Sequence, residues 1–325
     1  MTSEAKSGKR WSVSRKRKYI PHLAEFFFDP DTWTVSKAKR MFENTTNPFH
    51  EFALNTVKFE DCIKGMNKLP ANSINLILAD PPFGIGFDGK SSVYNRNSSF
   101  IVEGYSEVDQ DYDEFTEKWI QEIPRIMKDQ ASAYIFSGWN NLRHVERSCE
   151  ANGLEIINHL IWKYNFGVFT WRKFVTSHYH ILFIVKNSKK YYFNKVKHYP
   201  EDVWDYKREY RPREWKNGTK LPLRLIQECI DFSSKPGDII LDPFMGNGTT
   251  AAAAKSKLRH FVGFEINPEL RRIIDHELSL IELGQDYEWF DRQAYIRDLT
   301  KEHPRVAKVY QKMKEERGGN QFGKE

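Results

Sequence analysis

Residues 238–250 read DIILDPFMGNGTT, and residues 73–83 read SINLILADPPF. Each has a short apolar run that ends in an aspartate and then a proline. Short apolar runs bounded by turn signals suit strands buried on both faces. Proline has no N–H to give to a ladder, so each strand stops at its aspartate, at the edge of a sheet. Beyond the first aspartate, Gly246-Asn247-Gly248 turns the chain into a helix over Thr249–Lys257. A βα rhythm runs outward from these two segments. Strands are predicted over Leu54–Asp61, Ile74–Ala79, Ala131–Phe136, Ile157–Tyr164, His178–Lys186, Asp238–Leu241 and Phe261–Ile266. Helices are predicted over Ile63–Leu69, Tyr112–Met127, Asn141–Asn152 and Leu223–Phe232, and another opens at Asn267-Pro268. Alternation of this kind implies an α/β fold with a mostly parallel sheet covered on both faces.

The chain has 325 residues, 40% of them hydrophobic, which is enough for a sizeable core. No apolar run approaches the roughly 20 residues that cross a bilayer. No apolar stretch follows the N-terminal basic residues, so a cytoplasmic location without membrane contact is expected. Cys62, Cys149 and Cys229 lie far apart and form no pair, as reduced thiols would. His178 and His180 share one strand face, but two ligands do not make a metal site, and no metal is expected. Four regions are predicted: a basic arm over 1–18, a helical cap over 19–53, a core domain over 54–284 and a charged helical tail over 285–325. Residues 84–111 are the longest stretch without periodicity, as in a loop that contacts substrate.

The two edge motifs carry complementary chemistry. In Asp80-Pro81-Pro82-Phe83 the prolines stiffen the backbone and leave carbonyls as acceptors. The Asp80 carboxylate and the Pro81 carbonyl can accept both N–H groups of a planar amine, and Phe83 offers a flat face for stacking. In the second motif, Gly246 and Gly248 allow close backbone approach. The helix N-terminus behind them suits a carboxylate, with Thr249 and Thr250 able to cap and donate. Glu265 ends the next strand, 17 residues after Gly248, about where an acid meets ribose hydroxyls in dinucleotide-type sites. Asp61 reads either as a second acid near a bound nucleoside or as a solvated residue at a strand end.

These segments resemble the beta-class amino-methyltransferases of DNA, in which a DPPY-like motif precedes a target-recognition region and an FxGxG-type motif. Here DPPF stands at 80–83 and FMGNG at 244–248, and the resemblance covers roughly residues 54–280. It implies a Rossmann-like, seven-stranded methyltransferase fold in permuted motif order, with S-adenosyl-L-methionine as cofactor. By position, Asp80, Pro81, Pro82 and Phe83 match the catalytic motif. Asp242, Phe244, Met245, Gly246, Asn247, Gly248, Thr249, Thr250, Glu265, Asn267 and Asp61 fall around the cofactor. Thr219, Lys220 and Pro222 match a threonine before a Lys-Pro pair at its methionine end, with Leu221 inserted. The implied activity is methylation of an amino nitrogen on a flipped-out DNA base. Aspartate at the motif head is typical of adenine-N6 enzymes. Cytosine-N4 or RNA methylation, or an inactive DNA-binding relative, stays open.

A net charge of +6 and a pI near 8.9 favour a polyanionic partner. Residues 186–224 hold twelve Lys/Arg against five acids, with eight aromatics among them. Within this stretch, 186–216 is the predicted target-recognition region for double-stranded DNA, through Lys189, Lys190, Lys195, Lys197, Lys207, Arg208, Arg211 and Arg213. Arg10, Arg15, Lys16, Arg17 and Lys18 in the arm are candidates for nonspecific contact. A homodimer and a cognate restriction enzyme are further partners the resemblance allows.

Overall fold

The computed structural model describes residues 33–82, 112–164, 171–197, 199–209, 220–288 and 292–321. Phe83, Arg211, Arg213, Thr219, the basic arm and the loop over 84–111 lie outside them. Residues 33–288 belong to one compact unit. In chain order its elements are α1 Val35–Glu43, β1 Thr56–Lys58, α2 Cys62–Asn67, β2 Ile74–Ala79, α3 Tyr112–Ile120, α4 Ile123–Ile126, β3 Met127–Ser137 and α5 Leu142–Ala151. There follow β4 Glu155–Lys163, β5 His178–Val185, β6 Val203–Asp205, α6 Leu223–Ser233, β7 Ile239–Asp242, α7 Thr249–Ser256, β8 His260–Phe264, a 3-10 turn Pro268–Leu270 and α8 Arg271–Ser279. In the second unit, α9 Arg292–Glu302 and α10 Pro304–Gln321 bury Ile296 and Met313 with Val306 and Tyr310 against them. No helix among the described residues is long and apolar enough to cross a membrane.

The strands form one sheet in the order β1-β8-β7-β2-β3-β5-β4-β6. All neighbours are parallel except β3–β5 and β4–β5. The resemblance implies seven strands; the described residues form eight. The extra one, β6, pairs only three residues with the outer edge of β4, too few to show a period in the sequence. A second difference lies before β3. One helix is expected over Tyr112–Met127, but α3 stops at Ile120, α4 is a single turn carrying Pro124, and Met127 already belongs to a strand. Proline is tolerated in the first turn of a helix and breaks an interior, so the chain restarts there.

Alternation along the strands builds two cores. Ala133, Ile135, Leu182, Ile184, Leu241 and Val262 face α2–α5. Tyr134, Phe136, Ile181, Phe183, Ile240 and Phe261 face α6–α8. Successive strand residues point to opposite faces, so every central strand is apolar on both. Connections from β7 lead to β8 on one side, and those from β2 lead to β3 on the other. The order of strand connection therefore reverses between the parallel strands β7 and β2, and ligands in such sheets bind outside the strand ends at the reversal.

Candidate active site

Asp80 and Asp242 lie at that reversal. β2 and β7 are paired in parallel, with Leu76 beside Ile240 and Ile77 beside Leu241. Asp242 closes β7, and Asp80 follows β2 directly. Two segments 162 positions apart in sequence thus present carboxylates side by side. Each carboxyl is pushed up to about 7: Asp80 by burial and then by Asp242, with Arg208 opposing, and Asp242 by burial, opposed by Thr250 and the Phe244 amide, with Glu265 raising it further. Asp80 is half-buried, whereas Asp242 is buried.

The glycine turn is built from beneath. Gly246 (φ 50°) and Gly248 (φ 81°) adopt left-handed backbone. A Cβ on Gly248 would lie 3.2 Å from Ile274 Cγ2 of α8, so that position allows close helix packing only without a side chain. Glu265 follows β8 and accepts the Gly246 amide at Oε2 and the Asn267 amide at Oε1, both at 2.8 Å. Burial raises its carboxyl and these amides oppose the shift. Asp242 Oδ1 accepts the Phe244 amide at 2.9 Å. Met245 donates its amide to the Phe264 carbonyl and turns its side chain over Gly263, where a Cβ would meet Met245 Cε at 2.0 Å. Its side chain therefore belongs to the core rather than to a ligand surface. Phe244 lies edge-on to Trp119, with centroids 5.2 Å apart, which ties the turn to α3.

The remaining predicted residues spread around this centre. Asp61 caps α2, accepting the Lys64 amide at 3.0 Å, and sits three positions beyond β1 on the edge that carries Glu265. Asn267 accepts the Glu269 amide at 3.0 Å and starts the 3-10 turn. Asn247, Thr249 and Thr250 are buried at the head of α7. Pro222 precedes α6. Lys220 is buried with its Nζ 2.9 Å from Glu277 of α8 and 3.6 Å from Glu209, a charge cluster one helical turn beyond Ile274.

The basic stretch divides. β5 runs antiparallel to β3, so it begins at the Asp80 edge, with His180 beside Ser137, and ends at the far edge, with Val185 beside Ser132. Lys189 and Lys190 follow that far end, which eight strand residues at ~3.3 Å each put roughly 25 Å from the site edge. Lys190 pairs there with Asp129 at 2.8 Å. Burial lowers Lys195, and Lys197 pairs with Glu228, midway along α6, whose other oxygen accepts the Tyr206 hydroxyl. The chain then returns along β6, which is parallel to β4, and only Lys207 and Arg208 of the described set emerge at the site edge. Lys207 is exposed. Arg208 lies over the Tyr164 ring at 4.6 Å and donates to the Tyr179 hydroxyl at 3.0 Å. Sequence reasoning counts Arg208 among the DNA contacts and misses its position on this aromatic ledge; the alternation Trp162, Tyr164 and Tyr179 near strand ends is the available signal.

The site has the acceptors that S-adenosyl-L-methionine needs. Its ribose hydroxyls and amines are donors, and Asp61, Glu265 and Asp242 ring the turn. Its carboxylate is suited by the α7 N-terminus behind Gly246 and Gly248. A thiolate nucleophile has no place here: burial pushes Cys62 and Cys149 up to about 12 and Cys229 further. No group of three metal-ligating side chains lies among the described residues.

The model of a family described as DNA methylase, with N6 and N4 members, matches residues 74–276. The chain belongs to this family of DNA methylases and is an S-adenosyl-L-methionine-dependent DNA methyltransferase. It is 32% identical over 245 residues to the type II methyltransferase M.HinfI of Haemophilus influenzae, covering 69% of this chain and 67% of that one. It is also 32% identical over 246 residues to the DNA adenine methyltransferase YhdJ of Escherichia coli (strain K12), covering 66% and 79%. Among solved structures, the complex of M1.HpyAVI with its donor superposes with a TM-score of 0.54 at 23% identity, over 69% of this chain and 98% of that one. The cytosine-N4-specific PvuII DNA methyltransferase superposes with a TM-score of 0.54 at 13% identity, over 73% and 96%. At these identities both establish the fold alone.

Proposed function

We propose that this protein methylates the N6 amino group of adenine in double-stranded DNA, by direct transfer to a base extruded from the helix. The observation that carries the reading is the pairing of β2 with β7, which sets the Asp80-Pro81-Pro82 turn beside the glycine turn. The Asp80 carboxylate and Pro81 carbonyl accept the two N–H groups of the amine, which turns its lone pair out of the ring system. Phe83 supplies the stacking face. Bound S-adenosyl-L-methionine supplies a methyl group on a cationic sulfur. Glu265 and Asp61 hold the nucleoside end, Gly246 and Gly248 open the α7 N-terminus to the carboxylate, and Asp242 keeps the turn in shape through the Phe244 amide. Asp80 has a proton affinity near neutrality, so it can take the proton the amine sheds once methylated. Aspartate at the motif head and the likeness to YhdJ, named as an adenine enzyme, support N6 over cytosine N4.

The test is incubation of duplex DNA with labelled S-adenosyl-L-methionine and the protein, followed by digestion to nucleosides and mass analysis. Labelled N6-methyl-2′-deoxyadenosine is expected. N4-methylcytosine instead would overturn the choice of base, and no labelled nucleoside would overturn the activity.

A further inference from the structure

The edge that carries Asp80 also carries the turn between β4 and β5. β5 begins there, beside Ser137 of β3, and the Tyr164 amide bonds the Ser177 carbonyl across the turn. Its described residues 171–177 read WRKFVTS, with two cations and no acid. Phe174 is 100% exposed and Trp171 90%, and Trp139, in the loop after β3 at the same edge, is 69% exposed. Arg172 and Lys173 are exposed between the two aromatics. Large aromatics normally bury 150–250 Å² each. Grouped exposure of this kind, rimmed by like charge, marks an interaction surface.

The occupant follows from position and charge. The substrate's reacting amine must reach Asp80, so the duplex has to approach this edge on the β3–β5–β4 side, since the cofactor turn occupies the other. We propose that Trp171–Phe174 is a duplex-contacting element, with Arg172 and Lys173 on phosphates and the flanking aromatic rings against bases, and that it takes the place expected of the lysines at 189–197. The inference rests on the reading of the protein as a DNA-acting enzyme and assigns the surface that reading leaves open. Aromatic side chains that lean on bases are how proteins hold unstacked nucleic acid, and basic neighbours supply affinity independent of sequence.

The experiment uses the full chain and a short mixed-sequence duplex, with affinity measured by fluorescence anisotropy over a range of salt. Arg172→Gln with Lys173→Gln is expected to weaken binding about tenfold at low salt and to flatten the dependence on salt by about one phosphate per charge removed. Phe174→Ala is expected to weaken binding about fivefold or more with the salt slope unchanged. Calorimetric donor affinity equal to wild type shows that each variant is folded. Ultraviolet crosslinking of the wild type, with peptide mapping, should place adducts on the peptide spanning 171–174. Unchanged affinity and slope in these variants overturns the proposal. So does a loss that follows Lys189→Gln with Lys190→Gln instead, or adducts confined to the peptide that holds Lys189 and Lys190. A wild type that binds no duplex removes the DNA-acting reading and this placement together; a wild type that binds while the turn variants match it removes the placement alone.

Discussion

The two sides of the switch point treat charge differently. On the β7–β8–β1 side, charges are held by short local bonds: Glu265 by two amides, Asp242 by the Phe244 amide and Thr250, and Lys220 by Glu277. On the β2–β3–β5–β4 side, Asp80 is set by burial, a like charge and the more distant Arg208, which rests on aromatic rings carried by other strands. One side is preorganised for a cofactor of constant shape. Both Asp80 and Asp242 rise to about 7, but Asp242 is tied to the Phe244 amide and Thr250, whereas burial and neighbouring charges set Asp80, ready to change state with substrate. Preorganised donors and acceptors cost nothing at the moment of reaction, whereas an acid that must exchange a proton works best near ambient pH.

Removing the acid tests this contrast most severely. Asp80→Asn should lower turnover about a thousandfold, with donor affinity by calorimetry unchanged. The same variant should melt at a higher temperature than the wild type at pH 8. The Asp80 carboxyl rises from an ordinary 3.8 to about 7, so the native state binds a proton more tightly than the unfolded chain does. Stability conferred by that proton is present below the ordinary value and is lost as pH rises to about 7. Near pH 4 the advantage of Asn should vanish; a constant difference at all pH values would refute the assigned cause.

On the other side, Lys220→Met leaves Glu277 buried beside a methyl thioether. A loss of about 3–5 kcal/mol in denaturant unfolding is expected, and Lys220→Met with Glu277→Leu should recover much of it. Equal losses in the single and double variants would show that the pair is not acting as a unit.

The smallest effect is electrostatic. Arg208→Gln removes the cation that lowers the Asp80 carboxyl, so the acid limb of kcat/KM against pH, expected near 7, should move upward while duplex affinity stays within about twofold. A uniform drop with the limb in place would make Arg208 a packing residue.

Local pattern was enough for the parts of the fold where one strand or one turn decides. Ile74–Ala79 reads as a strand with the bounds found, because an apolar run closed by Asp80-Pro81 admits nothing else. Asn267 and Pro268 mark the start of the turn into α8 for the same local reason. Residues 127–130 read wrongly as part of a helix or outside the strand, because the pairing of Met127 with Ile74 of β2, ahead of a bulge, rather than propensity, extends β3 there. Met245 reads as part of the ligand turn, yet it fills the space that Gly263 leaves on a strand no local pattern connects to it.

The chain's own order of residues determined the two aspartate turns, the left-handed glycines and the helix behind them, since each depends on covalent geometry and on neighbours a few positions away. Strand pairing decided the rest: that Asp80 lies beside Asp242, that residues 186–190 lie at the edge away from the site, and that Arg208 and residues 171–174 lie on the near one. Which edge a residue occupies is set by strand direction, and direction is fixed only when the whole sheet closes its hydrogen bonds and buries both faces.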